Sequence, residues 1–175
     1  MHLRNLVFLA MLMMLSTASG AETLTGTVVG VADGDTITVL DANHEQHKVR
    51  LAGIDAPEKS QPFGQRSKQS MSALVFGKEV DVEWHKRDRY QRIIGKVMVT
   101  DPNCRTTLCP KTLDTGLAQI AAGLAWWYQK YAKDQSAEDA DRYEFAEHEA
   151  RAKRAGLWAD AHPIPPWDWR KGERL

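Results

Sequence analysis

The sequence has little of several features that would assign it to a specialised class of protein. Its 175 residues include only two cysteines, 8% are aromatic, and 23 basic residues balance 23 acidic ones. A net charge of zero gives no overall attraction to a polyanion, so the attraction would have to come from a local patch. The length and the 43% hydrophobic content are ordinary, and they predict one globular domain with a substantial core.

Long apolar runs are also scarce, and the one at residues 6–15 is too short to span a bilayer comfortably. Arg4 precedes this run and small residues follow it at 16–21. This pattern is typical of a secretory signal peptide, with cleavage after Ala21 as the best fit and after Gly20 as the alternative. The alternative is an uncleaved anchor. We expect residues 1–21 to be removed, and the protein to be periplasmic or extracellular without stable membrane association.

Export bears on the two cysteines, Cys104 and Cys109, which have four residues between them. In an oxidising compartment such a pair usually forms a disulfide. Two free thiols and half of a zinc site are the alternatives, although no second Cys or His pair stands nearby at ligand spacing. A disulfide across so short a loop would staple a hairpin tip rather than hold the fold together.

Strand patterns dominate the first two thirds of the chain. Alternating and β-branched residues predict strands at 24–31, 36–40, 47–51, 80–84 and 93–99. Asp33 and Gly34 predict a tight hairpin turn, for which Asp-Gly supplies the positive φ.

Helices are predicted at 62–76, at 113–125 and at 135–155. The tail from residue 162 is rich in proline, so we expect it to be extended and held by its tryptophans. Five strands with helices inserted after the third and added at the end predict an α+β fold: a five-stranded Greek-key barrel of the OB-fold kind with about three helices. The domain is expected to cover 22–160, with a Pro/Trp-rich tail at 161–175 packed on it or trailing from it.

Acidic residues at two predicted strand ends could hold a metal ion. Asp35 and Asp55 are 20 residues apart, and their carboxylates would make a loose, partly hydrated site. Such a site suits a hard catalytic cation that leaves room for substrate. Asp33 is either a further acid beside this site or the first residue of the turn.

Three further side chains could carry out phosphodiester chemistry beside such a cation. Glu58 could act as the general base that polarises a water. Arg50 and Arg92 could each bind phosphate oxygens and stabilise the charge that grows as water attacks. Residues 85–96 hold five Lys or Arg against Asp88 alone, which is a local positive patch that the net charge conceals.

Each of these pieces has an ordinary structural explanation when taken alone. Asp-Gly-Asp-Thr is a common hairpin turn, an isolated arginine is usually a surface strand residue, and a charged segment is usually a solvated edge. Their joint occurrence in this order is much less expected by chance.

Taken together, these segments resemble the thermonuclease family, the staphylococcal-nuclease-like secreted phosphodiesterases. The resemblance covers about residues 24–158. It rests on Asp33-Gly34-Asp35-Thr36, Arg50-Leu51-Ala52-Gly53-Ile54-Asp55-Ala56-Pro57-Glu58, Asp88-Arg89-Tyr90-Gln91-Arg92, Gly123-Leu124-Ala125 and Gly156-Leu157-Trp158.

The resemblance implies a calcium-dependent endonuclease that cuts DNA and RNA and leaves 3′-phosphate ends. It implies calcium on Asp35, Asp55 and the backbone carbonyl of Ala56, where the family often has threonine. It implies Arg50, Glu58 and Arg92 as the catalytic residues. Single-stranded or locally melted nucleic acid is the expected partner, and a monomer is the expected state.

The same resemblance places substrate contacts at Arg89, Tyr90 and Tyr131, while a second nucleotide-binding tyrosine of the family falls on Gln129, with Tyr128 beside it. We expect the tryptophans at 126, 127 and 158 to be packing residues. His44 and His47 are expected to be surface residues without a ligand partner.

Two other functions compete with this interpretation. The first is a non-catalytic barrel that binds nucleic acid or protein, in which the carboxylates and arginines would not be needed. The second is a metal-dependent phosphodiesterase that acts on small nucleotides.

Overall fold

The computed structural model describes residues 22–106 and 108–172, so the predicted signal peptide lies outside the described residues. The described residues form eight strands: β1 Glu22–Val31, β2 Thr36–Leu40, β3 Gln46–Leu51, β4 Ile54–Asp55, β5 Glu79–Arg87, β6 Ile93–Thr100, β7 Lys111–Asp114 and β8 Trp126–Trp127. The α-helices are α1 Gly64–Val75, α2 Thr115–Ala121, α3 Ala137–Ala152 and α4 Pro166–Trp169, with 3₁₀ turns at Gln129–Asp134 and Gly156–Ala159.

Strands β1, β2, β3, β5 and β6 close into a mixed barrel. The order of the sheet is β3-β2-β1-β5-β6-β7, with antiparallel neighbours, and a parallel pairing of β3 with β6 completes the circle. In that pairing Arg50 stands opposite Ile94. The predicted five-stranded barrel of an α+β protein is therefore confirmed.

The barrel is filled by the apolar residues that alternate along its strands. In β6 every second residue is buried, and Val97 and Val99 are 0% and 1% exposed. Helix α1 closes the barrel with Met71 and Val75, both fully buried. The helix ends just before Gly77, whose φ of +73° is the left-handed conformation favoured after a helix.

Three short strands, β4, β7 and β8, were not predicted, and β7 shortens the second helix. Strand β7 occupies the start of the segment predicted to be helical, because Asp114 ends that strand and caps α2. The Asp114 Oδ1 atom accepts hydrogen bonds from the backbone N–H groups of Gly116 at 2.9 Å and Leu117 at 3.1 Å, which satisfies two donors at the start of the helix. Strand β8 follows the helix and pairs with β4.

The extended conformation predicted for the tail is wrong for residues 166–169, which form α4. The backbone N–H group at the first position of a helix has no partner within the helix. Proline lacks this group and loses nothing there, so Pro166 can start this helix. The prediction that tryptophans hold the tail is confirmed for Trp167. Its ring stacks on Tyr128 with centroids 5.0 Å apart and meets Trp126 edge-on at 5.7 Å.

Cys104 and Cys109 form a disulfide in the loop between β6 and β7, at the hairpin tip where the sequence placed it. The tryptophans at 126, 127 and 158 are buried, with 7 to 9% exposure, as expected for packing residues. Within 22–106 and 108–172, no helix combines the length and apolar character needed to cross a membrane.

Candidate active site

The turn between β1 and β2 places Asp35 at one edge of the barrel. The Asp35 backbone N–H donates to Asp33 Oδ1 at 3.1 Å. Gly34 is not in the positive-φ region, so the predicted reason for this glycine is wrong. The glycine is required by space instead, because a Cβ there would lie 1.8 Å from Ser67 Oγ of helix α1.

Arg50 joins the two aspartates that the sequence proposed as metal ligands. It pairs with Thr36 across β2 and β3, and its guanidinium forms an ion pair with Asp35. Its Nη2 atom donates to Asp55 Oδ1 at 2.9 Å. The three side chains are 14%, 7% and 1% exposed for Arg50, Asp35 and Asp55 respectively, so they form a buried charged group.

Ala56 is held directly beside this group. Its N–H donates to Asp35 Oδ2 at 2.7 Å, and Asp55 before it pairs with Trp126 of β8. The short β4–β8 pair therefore fixes the backbone at Asp55, directly before Ala56. The Ala56 N–H group thus lies beside the Asp35 carboxylate, and Ala56, whose carbonyl is a predicted ligand, directly follows Asp55.

Glu58 lies at the more open side of the same group. Its side chain is 38% exposed. Its backbone is fixed by Gln61, whose Oε1 accepts from the Glu58 N–H at 3.1 Å. Gly64 begins α1 against the Glu58 carbonyl, since a Cβ at Gly64 would lie 1.9 Å from that oxygen. The start of α1 therefore fixes the position of this loop.

Arg92 is oriented by the turn between β5 and β6. Asp88 accepts from the Arg92 backbone N–H at 2.9 Å and from its Nε at 2.7 Å, while its own N–H donates to the Arg92 carbonyl at 2.9 Å. Burial opposes ionisation of Asp88, but its hydrogen bonds from Arg92 and Tyr90 outweigh this and lower its pKa. The sequence showed Asp88 as the single acid of a basic patch and as part of a family motif, but it did not show its contact with Arg92. In the fold, Asp88 holds Arg92 in place.

The predicted substrate-contact residues surround the opening of the site. Tyr90 is 63% exposed and Tyr131 is 42% exposed. Arg89 donates to the Tyr90 hydroxyl at 2.7 Å, and the Arg92 guanidinium lies 5.6 Å from the Tyr90 ring centroid. The Tyr131 ring meets Tyr128 edge-on at 4.9 Å.

The predicted metal-binding, catalytic and substrate-contact residues all line one cleft of about 820 Å³. Among its lining residues are Asp35, Arg50, Asp55, Ala56, Glu58, Arg89, Tyr90, Arg92 and Tyr131. The barrel closure explains this convergence, because the parallel pairing of β3 with β6 sets Arg50 opposite Ile94, two residues after Arg92. Arg92 ends the turn directly before β6 begins at Ile93, and it lines the same cleft as Arg50.

The acids of the cleft carry a concentration of negative charge. Burial, and then the charge of Asp35, raise the pKa of Asp33 from 3.8 to about 6. Burial also raises the pKa of Asp55, although Arg170 and Arg50 oppose the shift. For Arg50, burial lowers the pKa, but the carboxylates of Asp35 and Asp55 outweigh it and the net shift is upward. The guanidinium is thus charged at every physiological pH.

These residues fit a hard divalent cation. Asp35, Asp55 and the Ala56 carbonyl form a donor set made only of oxygens, which suits calcium. Two guanidiniums, those of Arg50 and Arg170, bind Asp55, which shows that positively charged groups can reach this carboxylate. The assignment of calcium to these three residues stays a prediction.

A second group of carboxylates lies at the hairpin between β2 and β3. Side-chain ligand atoms of Asp41, Glu45 and His47 lie within 4.8 Å of one another. His47 was expected to lack a ligand partner, but its Nε2 atom lies 2.9 Å from Asp41 Oδ2. The Asp41 Oδ1 atom accepts from the N–H groups of Asn43 and Glu45, both at 2.9 Å, so Asp41 stabilises the hairpin turn. We assign no site to this group.

Sequence reasoning missed Arg170, whose guanidinium enters the cleft from the C-terminal tail. Its Nη2 lies 2.7 Å from Asp55 Oδ2, and its Nη1 lies 2.8 Å from Glu58 Oε1. The residue is 115 positions after Asp55, so no local spacing could connect them. The only signal was the proline and tryptophan content of the tail. It predicts that the tail is held against the domain, but it does not predict that Arg170 reaches the cleft.

Comparison with known proteins identifies a family and several relatives. A family model described as staphylococcal nuclease homologue matches residues 48–160. An uncharacterized endonuclease of Haemophilus influenzae is 40% identical over 159 residues, which cover 91% of this chain and 80% of that protein. A micrococcal nuclease of Shigella flexneri is 41% identical over 151 residues, 85% and 82% of the two chains. The staphylococcal-like nuclease CAN1 of Arabidopsis thaliana is 35% identical over 132 residues, 74% of this chain and 35% of that protein.

Proposed function

Because the chain belongs to the staphylococcal nuclease homologue family, we propose that it is a secreted, calcium-dependent endonuclease that hydrolyses DNA and RNA and leaves 3′-phosphate ends. Relatives named as nucleases support nucleic-acid hydrolysis as the reaction class. The observation that carries the proposal is the convergence of Asp35, Arg50, Asp55, Glu58 and Arg92 on one cleft. A barrel that only binds nucleic acid would not require this set of opposed charges.

Glu58 is proposed to activate the attacking water. The Glu58 side chain is 38% exposed, whereas those of Asp35 and Asp55 are 7% and 1% exposed. Exposure lets it reach a water and return the proton to solvent. Its loop is fixed by Gln61, so the carboxylate can take a proton from water as the oxygen attacks phosphorus in line. As the new P–O bond forms, the bond from phosphorus to the 5′ oxygen breaks. That oxygen takes a proton from solvent and leaves as a 5′-hydroxyl, and the phosphate stays on the 3′ end.

Arg50 and Arg92 are proposed to stabilise the negative charge that develops on the phosphate oxygens. Both guanidiniums are already oriented, Arg50 by two buried aspartates and Arg92 by Asp88. Donors that are fixed before the reaction need no reorganisation in the transition state, and this makes them effective.

The family is generally metal-dependent, and here Asp35, Asp55 and the Ala56 carbonyl would hold the ion. Calcium, when bound, would offset the negative charge of the phosphodiester group as it is attacked. The protein's contribution is to keep these oxygen donors together, through the hydrogen bond from the Ala56 N–H to Asp35 and the pairing of Asp55 with β8.

The rim of the cleft is suited to a flexible polynucleotide. Exposed Tyr90 and Tyr131 could stack on bases irrespective of sequence, and Arg89 adds positive charge for the backbone. These features favour DNA and RNA that are single-stranded or locally melted as substrates. We also propose that the protein is exported to the periplasm or the medium, as the N-terminal segment predicts. We propose separately that it acts as a monomer.

End analysis of cleaved oligonucleotides tests this proposal. Single-stranded DNA and RNA should be shortened in the presence of calcium, with 3′-phosphate ends identified by mass. Arg92→Ala should lose most of the rate. Arg105→Ala is the matched control, because Arg105 is exposed in the disulfide loop and does not line the cleft. Binding without cleavage by folded wild-type protein would favour a binding module, and cleavage of dinucleotides but not polymers would favour a small-nucleotide phosphodiesterase.

A further inference from the structure

The C-terminal tail contributes a second guanidinium to the acids of the cleft. Arg170 follows α4 and binds Asp55 through two contacts, Nη1 to Oδ1 at 3.2 Å and Nη2 to Oδ2 at 2.7 Å. Its Nη1 also donates to Glu58 Oε1 at 2.8 Å. A single side chain thus occupies both oxygens of a proposed metal ligand and one oxygen of the proposed base.

The tail is held in this position by contacts that do not involve the guanidinium. Trp167 stacks on Tyr128 and meets Trp126 edge-on, and Pro166 is buried. Gln61 donates to the Ile164 carbonyl at 2.6 Å. The tail should therefore stay docked when the Arg170 side chain is shortened, which makes the function of that side chain testable by itself.

Of the two guanidiniums on Asp55, Arg170 is the one that can leave. The Arg50 side chain is 14% exposed and lies between two aspartates, whereas Arg170 is 43% exposed. A long, partly solvated side chain can rotate into water at a modest cost, because its charge remains hydrated there. A cation that needs Asp55 must share or displace the groups that already occupy its oxygens.

We propose that Arg170 competes with a divalent cation for Asp55 and Glu58, so that the C-terminal tail holds the cleft in a cation-free state until the cation displaces the guanidinium. This inference rests on the proposed function, which places the cation at Asp35 and Asp55, and it adds a regulatory element to that site. Because binding linkage is reciprocal, Arg170 must weaken cation binding by the same factor by which the cation weakens the contact of Arg170.

Isothermal calorimetry of calcium binding, without nucleic acid, tests the competition. The purified chain expressed from its full sequence is compared with Arg170→Ala, Arg170→Lys and the control Arg105→Ala, which also removes one positive charge. Arg170→Ala should bind calcium about tenfold more tightly, within the range usual for coupled sites. Arg170→Lys keeps the charge but cannot fork onto a carboxylate, so its affinity should fall between those of the wild type and Arg170→Ala. The affinity of Arg105→Ala should equal that of the wild type.

Other results would overturn the proposal. Unchanged or weaker calcium affinity in Arg170→Ala, with an unchanged circular dichroism spectrum, would exclude competition. A raised KM for oligonucleotide in that variant would then identify Arg170 as a substrate-phosphate ligand. If Arg170→Lys equals the wild type, the effect is one of charge at a distance, and the bidentate contact has no part in it. Absence of calcium binding by all folded variants would also refute it. Tighter binding in Arg170→Ala without any polynucleotide cleavage would leave this inference standing and reject the proposed function.

Discussion

Replacing Arg50 by alanine should destabilise the protein as well as inactivate it. Its guanidinium is the shared counter-charge of Asp35 and Asp55, and the three side chains are 14%, 7% and 1% exposed. Removing one partner of a buried ion pair typically costs about 3–5 kcal/mol, because the remaining charge stays desolvated. Asp55 retains Arg170, so we expect a loss near the lower limit, about 3 kcal/mol.

The matched comparison for this prediction is Arg92→Ala, which also removes one guanidinium from the cleft. Arg92 is 28% exposed and its partner Asp88 is 18% exposed, a more solvated pair, and such pairs contribute about 1 kcal/mol or less. Urea denaturation at pH 7 with a chelator, followed by tryptophan fluorescence, gives both free energies of unfolding. Calcium should restore part of the stability lost in Arg50→Ala, because a ligand of the folded state stabilises it.

Equal losses of stability in Arg50→Ala and Arg92→Ala would refute this reasoning. That result would mean that Asp35 and Asp55 do not depend on Arg50 for their charge balance. The buried three-residue group would then not be the electrostatic centre of the site.

Three further replacements test separate parts of the structure. Glu58→Gln should lower the cleavage rate by at least about 100-fold with little change in stability, since Glu58 is 38% exposed; a rate within fivefold of wild type would remove Glu58 from the mechanism. Asp33→Asn should stabilise the protein more at pH 7.5 than at pH 4.5. The folded-state pKa of Asp33, about 6, exceeds its ordinary 3.8. The folded protein therefore holds a proton that the unfolded chain releases, and wild-type stability falls as the pH rises through that interval, by at most about 3 kcal/mol. A difference between the two proteins that is independent of pH in urea titrations would contradict the shift. Serine at both Cys104 and Cys109 should cost about 2 kcal/mol or less and leave the cleavage rate unchanged; loss of activity in folded protein would show that the loop contributes to the site.

The barrel could be predicted from the sequence because its strands carry their own signals. Alternation and β-branching identify a strand without knowledge of its partners, and the predicted strand at 36–40 matches β2 residue for residue. The short pair β4–β8 could not be predicted, because two-residue strands such as Trp126–Trp127 have no periodicity. They form only because the rest of the fold brings them together.

The candidate site was predictable where its residues lie close in sequence. Arg50, Asp55 and Glu58 stand within nine residues, and the structure places them around one cleft. Burial could not be predicted from the same spacing. An isolated arginine is usually a surface strand residue, whereas the structure shows Arg50 between two buried acids.

Long-range contacts of the site are the part that the sequence concealed. Arg170 reaches Asp55 across 115 residues through a docked tail that was expected to be extended. Gly34 shows the same limit, because its requirement comes from Ser67 in α1 and not from the turn in which it lies. Both contacts arise from packing between segments that are distant in sequence, so they cannot be predicted from residue spacing.

Degradation of single-stranded DNA by the purified protein, measured with calcium and then with excess chelator, tests the central claim most directly. The account predicts cleavage that depends on calcium, stops on chelation and resumes when calcium is restored. Cleavage that continues in chelator would contradict the proposed function of Asp35 and Asp55 as cation ligands. No cleavage by folded protein under any condition would contradict the assignment of this cleft as a nuclease site.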